Sequence, residues 1–488
     1  WNVGFWKGVL RKMRINTNVS ALIANHHLNK TDNMLGKSMQ RLASGKRLNR
    51  AEDDSAAIAI AKRMQTQINS IGQTGRNGND GVSVVQTAEG ALNEIHSMLQ
   101  RMRELAVQGA NGTNSDEDRK AIQEEVEDLK KEIVRITDQT QFSSINLLDG
   151  NLDRRSYCTV ETNPATTENT SSWGKVVSSS DSVAADLYKV EVTAEATQAE
   201  LEITVGNNPA TESGTVKINN TIIHIEKGDS KATIEAKIIE AAEKIGATYK
   251  TEVDAATNDE KGTFTTNAYG SDAKIEFEFS SNAMKALFES PTTDSIEKRG
   301  TDAVVEFVED NNGIRAGFSA TAKLSVEGNY VTVTDNGGFN MVMKVSQEGE
   351  YSFEVTDMGT MPIQIGIAEG QVLDIRIQTI SLETLSIENT NFSTQDNCES
   401  AIGDLDKAIS YVSAVRGSLG AYQNRLESAV RSIEVAEESV TSSLSRIEDT
   451  DMAEEMTYYT QMNVLTQAGV SVLAQANERP QTVLQLLQ

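Results

Sequence analysis

The sequence predicts a mainly α protein: a long antiparallel helical bundle built from both chain termini, with a β-rich α+β outer insert between them. Three observations carry that expectation. Near both ends of the 488-residue chain, apolar residues recur at alternating steps of three and four, the spacing of a single helix face. In the middle, Thr-, Ser- and Val-rich stretches alternate polar with apolar, which is the strand period. Aromatic residues make up 5% of the chain and prolines number 5, a composition suited to long helices packed along narrow seams rather than to one large core.

In chain order, the segment Ile15–Asn29 is free of charge, and Leu28, Leu35, Met39 and Leu42 set the first helical stripe. Within 91–136, Leu92, Ile95, Leu99, Met102 and Ala106 form one stripe, and Ile122, Val126, Leu129, Ile133 and Ile136 form the next. The Gly-, Asn- and Ser-rich stretch Gly109–Glu117 is the turn between two amphipathic helices, with Ser115 or Asp116 as the cap of the second. In the middle, about 151–361, Thr215–Ile225 (TVKINNTIIHI) reads as a hairpin turning at Asn219-Asn220. Ile234, Ile238, Ala242 and Ile245 mark a short helix. Lys323–Val333 is a second hairpin with Gly328-Asn329 at its turn, and Tyr351–Val355 is a further strand. Toward the end, Ala408, Val412, Val415, Leu419, Tyr422 and Leu426 form a long stripe, continued by Val440, Leu444 and Ile447. From Met456 to Asn477 no residue is charged, and Met462, Leu465, Gly469, Val472 and Ala476 recur at helical spacing.

Narrow seams of this kind need a partner, so the two ends are expected to pack on each other and loop the middle outward. A helix with one apolar face and an uncharged polar face suits burial among other helices, where a charge costs desolvation. Two such helices at opposite termini point to self-association. His26 and His27, beside the first stripe, are expected to be packing residues.

The formal net charge is −26, and it is uneven. Residues 151–390 carry 19 basic and 39 acidic side chains, whereas 13–150 carry 17 and 18. A chain without basic surplus is poorly suited to nucleic acid, and an acidic middle reads as a solvated surface. No run of 18 apolar residues exists, so no membrane span is expected. Cys158 and Cys398 lack a CxxC neighbour and are expected to be free thiols. The four histidines, His26, His27, His96 and His224, form no HExxH, and no Walker or GxGxxG loop is present; neither catalytic residues nor metal ligands nor cofactors are expected. At the start, the basic pair Arg11-Lys12 follows the apolar stretch, the wrong order for a cleavable signal. Residues 1–12 are expected to be a leader that the working protein, starting at Met13, does not carry.

Several blocks carry a family resemblance: MRINTNVSA from Met13, LASGKRLNRAEDDSAAIAI from Leu42, LQRMRELAVQ from Leu99, QTQFSSINLLDG from Gln139, IQIGIAEGQ from Ile363, LGAYQNR from Leu419, SRIED from Ser445 and QAGVSVLAQ from Gln467. In this order and spacing, over about 13–150 and 362–488, the chain resembles the bacterial flagellins. Hook–filament junction proteins share such terminal helices but match the SRIED and VLAQAN blocks poorly, which favours flagellin proper. Some flagellins carry a metalloprotease in the insert; this insert lacks the histidine pair it needs.

The resemblance implies an inner domain of 13–54 with 449–488, a second helical shell of 55–150 with 362–448, and a variable, surface-exposed domain at 151–361. It implies a homopolymer assembled by coiled-coil packing of the terminal helices, with Leu28, Leu35, Met39, Leu42, Met462, Leu465, Val472 and Leu473 in the self-assembly core. It further implies export, unfolded, through the type III apparatus with a dedicated chaperone, and filament cap and hook-associated proteins as partners. LQRMRELAVQ also resembles the segment that animal Toll-like receptors read in flagellins, at Gln100, Arg101 and Leu105, with Glu125 on the next helix. Around Ile218–Asn220 the insert resembles a small module of flagellins and hook-associated proteins.

Overall fold

A computed structural model describes residues 17–161, 167–168, 174–180, 182–203, 205–206, 209–219, 221–253, 260–288, 295–309 and 315–486. The expected leader, 1–12, and Asn220 of the expected hairpin turn lie outside them. The described chain divides into two compact units. One takes the residues up to Asn77, Ile365–Gln371 and those from Ala429 onward; the other takes Gly78–Gln364 and Val372–Ser428.

The first unit contains helix α1 (Val19–Ser44), the start of α2 (Ser55–Gly109), the end of α6 (Gln395–Glu448) and α7 (Met452–Leu486). Asn18 caps α1 by accepting from the Ala21 amide at 3.1 Å. Gly45, at φ +70°, ends it in the left-handed conformation and donates to Arg41 O, the reversal that glycine makes without strain. Antiparallel pairing of α1 with α7 is fixed at both ends. Asn18 Nδ2 donates to Ala476 O at 2.8 Å, and Thr450 N donates to Gly45 O at 3.0 Å. α2 and α6 meet where Ile433 packs at Gly75.

The second unit holds the rest of α2, then α3 (Asp116–Gln139) and the first part of α6. Leu92, Ile95, Leu99, Met102 and Ala106 of α2 are fully buried, as are Leu405, Val412 and Leu419 of α6. α2 begins at Ser55, far ahead of the stripe that announces it, because its first half buries small residues such as Ala61, Gly78 and Gly81. The buried face of α3 runs Arg119, Ile122, Val126, Lys130, Ile133 and Thr137. Leu129 and Ile136, expected on that face, flank it half-buried. Two cations thus stand in an apolar stripe, and each serves backbone carbonyls beside one carboxylate, Asp116 at 3.6 Å from Arg119 and Glu127 at 3.2 Å from Lys130. Arg119 donates to Gly109 O at 3.0 Å and Asn111 O at 3.2 Å, closing the end of α2. Lys130 donates to Glu388 O and Thr390 O. Ser115 caps α3 in a reciprocal box with Asp118.

The strands follow in order: β1 (Gln141–Phe142), β2 (Ile145–Asn146), β3 (Arg155–Glu161), β4 (Thr167–Glu168), β5 (Gly174–Ser179), β6 (Leu187–Ala194), β7 (Gln198–Glu202), β8 (Gly214–Ile218) and β9 (Thr221–Ile225). After helix α4 (Lys231–Lys244) come β10 (Ala247–Val253), β11 (Glu260–Tyr269), β12 (Lys274–Phe279), helix α5 (Asn282–Leu287), β13 (Ser295–Arg299), β14 (Val304–Phe307), β15 (Lys323–Glu327), β16 (Tyr330–Thr334), β17 (Asn340–Val345), β18 (Gly349–Thr356), β19 (Met361–Gln364) and β20 (Val372–Ile375). Both expected hairpins form, β8–β9 and β15–β16, in antiparallel register.

The insert has two cores rather than one. A first lobe packs the sheet β13-β12-β8-β9 and the sheet β10-β11-β7 around Phe264, Phe277, Ile238 and Phe288. A second lobe packs β14-β6-β18-β3-β4 and β15-β16-β17-β5 around Tyr188, Val333, Met343 and Phe353. At the insert's root, buried Arg376 pairs with Asp153 at 2.6 Å and donates to Ser179 O and Ser180 O. Asp153 also accepts from the Thr379 amide. Every charge there has a partner, the condition for a tolerable buried ion pair. Cys158 and Cys398 are free thiols.

Candidate assembly surface

The seam between α1 and α7 is built from small and polar residues as much as large ones. On α1, Ala21, Ala24, Leu28, Thr31, Leu35, Ser38 and Leu42 are buried or half-buried; on α7, Glu455, Tyr459, Met462, Thr466, Gly469, Leu473 and Ala476 are. Each series steps by three and four, so each lies on one face. At Gly469 the helices come close. A Cβ there would stand 3.2 Å from the Leu28 side chain. At the loop end of the pair, Lys46 Nζ lies 2.6 Å from Glu448 Oε1, and that hydrogen bond raises the lysine's pKa. Arg41 stands 3.6 Å from the buried Glu455.

Five of the eight expected self-assembly residues therefore line this intrachain seam: Leu28, Leu35, Leu42, Met462 and Leu473. The other three do not. Met39 is 55% exposed, Leu465 46% and Val472 55%. Ser38, Thr466 and Leu473 hold the seam positions instead, one residue along from each. An apolar residue beside a seam has the same periodicity as one in it, so the stripe alone does not separate the two.

Those three belong to a larger uncovered set. Val19, Leu22 and Ile23 of α1, and Met452, Met456, Tyr458, Val464 and Val470 of α7, are exposed in the single chain. Spacing did not mark them; for all but Met452 the signal was the absence of charge over Ile15–Asn29 and Met456–Asn477. Exposed apolar surface of this extent is a candidate interaction face. His26 and His27 are exposed too, contrary to their expected packing role: they sit off the seam.

A second cluster lies on α2 and α3. Arg101 Nε is 2.9 Å from Glu125 Oε1, with Glu104 beside it. The Glu125 hydrogen bond holds the guanidinium's pKa above its ordinary value. Gln100 is exposed, its amide 3.0 Å from the His96 ring. Leu105 is 1% exposed and sits in the interhelix core, so its side chain is not on this surface.

Fold and surface together define a class: a helical subunit whose termini pair with each other and leave an uncovered apolar face, carrying a β-rich insert. Comparison with known proteins makes it specific. The profile of the bacterial flagellin N-terminal helical region matches residues 15–153, and that of the C-terminal helical region matches residues 402–487. A flagellin of Clostridium tyrobutyricum is 33% identical, with 96% of this chain and 100% of the relative covered. A Salmonella rubislaw flagellin is 30% identical over 97% of this chain and 99% of its own length. Flagellin A of Vibrio cholerae is 30% identical, with 98% and 100% covered. Among solved structures, FliC from Burkholderia pseudomallei is 21% identical over 71% of this chain and 99% of its own, at a TM-score of 0.23; at that score the superposition adds nothing to the sequence match.

The chain belongs to the bacterial flagellin family. It is a structural subunit of the flagellar filament, an extracellular homopolymer, and not an enzyme.

Proposed function

We propose that the uncovered apolar residues of α1 and α7, Met39, Leu465 and Val472 among them, form the surfaces through which neighbouring subunits pack into the filament wall. The seam residues Leu28, Leu35, Leu42, Met462 and Leu473 hold the two helices in the arrangement that presents those faces. The observation that carries this reading is the run of exposed, uncharged apolar side chains on both helices of one pair. The inner domain is 13–54 with 449–488, the surrounding helical shell is 55–150 with 362–448, and 151–361 projects outward. The subunit is secreted through the type III export apparatus with a chaperone, and in the assembled flagellum it meets hook-associated and cap proteins.

The test is seeded polymerisation of Val472→Asp and Leu465→Asp. An unpaired charge buried in the wall costs several kcal/mol, about 3–5, so both variants should stay monomeric at concentrations where the parent forms long filaments. Because both positions are exposed in the single chain, circular dichroism of the monomer should not change. Normal filaments from Val472→Asp would refute the assignment.

A host Toll-like receptor is a further reader of Gln100, Arg101 and Glu125, where a guanidinium fork is held at the surface by a carboxylate. Arg101→Ala should lower receptor signalling by monomers at least tenfold, as loss of a hot spot of about 1.4 kcal/mol or more does, while leaving filament assembly intact. Leu105→Ala acts through the helix core and should lower subunit stability as well.

A further inference from the structure

The two lobes of the insert meet at a narrow neck. The chain leaves β6 for the first lobe and returns at β14, where Ala194 and Val304 are paired neighbours. Two strands alone thus connect the first lobe to the second. Connections of this kind ordinarily let domains move, yet this neck is heavily tied. Thr197 N donates to Thr301 O at 2.9 Å, and Thr301 N donates back to Thr197 Oγ1 at 3.0 Å. Gly270 N donates to Thr197 O.

Asp302 completes the joint. Its Oδ1 accepts from the Ser271 amide of the first lobe at 3.0 Å and from the Gly328 amide of the second at 2.9 Å. Its Oδ2 accepts from Ser271 Oγ at 2.6 Å. Donors from both lobes thus converge on one carboxylate, and these are the stronger, charge-assisted kind of hydrogen bond. The approach is backbone to backbone. A Cβ on Gly270 would lie 2.6 Å from Gly328 Cα, and one on Gly328 would lie 2.6 Å from Tyr269 O. Both glycines have positive φ, +102° and +61°, so each meets two demands that other residues fail.

We propose that Asp302 is a positioning residue: its carboxylate, seated on the Gly270–Gly328 contact, locks the two lobes of the insert into one rigid body. Neither apolar core includes it, so its loss loosens the neck without unfolding either lobe; the Ala303 N to Gly328 O bond and the bonds from Asn391 and Asn397 to Lys244 O remain. The surface that the filament turns to its surroundings is then a fixed two-lobed shape rather than a swinging appendage.

The experiment uses the full-length subunit with a spin label on each lobe, at Ile239→Cys and Asn336→Cys, the native thiols being poorly reactive. Pulsed dipolar spectroscopy reads the distribution of distances between the labels. The parent should give a narrow distribution. Asp302→Ala should broaden it, because the charge-assisted tie between the lobes is lost while the backbone bonds of the neck remain. Asp302→Asn, which keeps acceptor oxygen for the amides, should retain most of the narrowness. Ser271→Ala removes one hydroxyl donor and leaves both lobes' cores intact, so it decides the case should Asp302→Ala fail to fold; an intermediate width is expected. Distributions in Asp302→Ala and Ser271→Ala as narrow as the parent's would overturn the proposal.

Discussion

At the scale of single residues, burial and hydrogen bonding set reactivity and acid sensitivity. Burial pushes the Cys398 thiol up to about 11 and Cys158 up to about 12. The thiolate is the reactive form, so neither should be alkylated by iodoacetamide at pH 8 within minutes in the folded subunit, while both should react fully in denaturant; mass spectrometry reads the difference. Asp118 is held below the usual carboxylate range, first by the Ser115 hydroxyl and then by its amide. A carboxylate lowered in the folded state adds stability above its unfolded pKa, and that contribution is lost as pH falls through the folded value. The first turn of α3 should therefore lose protection against amide hydrogen exchange, measured relative to the intrinsic rate at each pH, as the pH drops below about 4. Ser115→Ala should weaken the helix start by about 1 kcal/mol. Much at this scale was hidden in the sequence. The side chains of Met39, Leu465 and Val472 have seam periodicity and yet face outward, because one chain's pattern records every face that is buried somewhere, in the subunit or beyond it. Leu105 shares a motif with Arg101 but points the other way, since the motif crosses both faces of its helix.

Among the elements, legibility follows the size of the buried residues. The stripes of Leu92–Ala106 and Ala408–Leu426 announced their helices because large side chains repeat in them; the first half of α2, seamed with alanine and glycine, did not. Hairpins β8–β9 and β15–β16 were legible since their pairing is local. The pairings of β18 with β3 and with β6 join residues about 190 and about 160 positions apart, and alternation says nothing about the partner. Lys130 and Arg119 fall on the stripe of α3 at helical spacing, and a charge in such a place was the available sign that a buried cation serves backbone carbonyls. Lys130→Met should leave Glu388 O and Thr390 O unpaired, costing about 1–3 kcal/mol. Leu99→Ala, by contrast, opens a cavity at a fully buried position of α2 and should cost about 2–5 kcal/mol. Urea unfolding followed by helical circular dichroism separates the two: equal losses would mean that Lys130 does more than cap carbonyls.

For the molecule as a whole, the negative charge sits mainly in residues 151–390, so subunits brought side by side repel at low ionic strength. Screening shortens from about 30 Å at 0.01 M to about 8 Å at 0.15 M, and seeded growth should accelerate across that range; growth that slows with salt would place the dominant interaction elsewhere. The pairing of α1 with α7 has a different consequence. Asn18 and Ala476, joined by one hydrogen bond, are 458 residues apart in the chain. Everything between them must be made before α1 finds α7. A polypeptide broken off anywhere before Met452 keeps an α1 whose seam has nothing to close on. Such a fragment has no second face to offer a growing end. On the proposed assembly reading, a chain that lacks α7 should therefore be excluded from the polymer, and seeded growth with a chain cut before Met452 checks it.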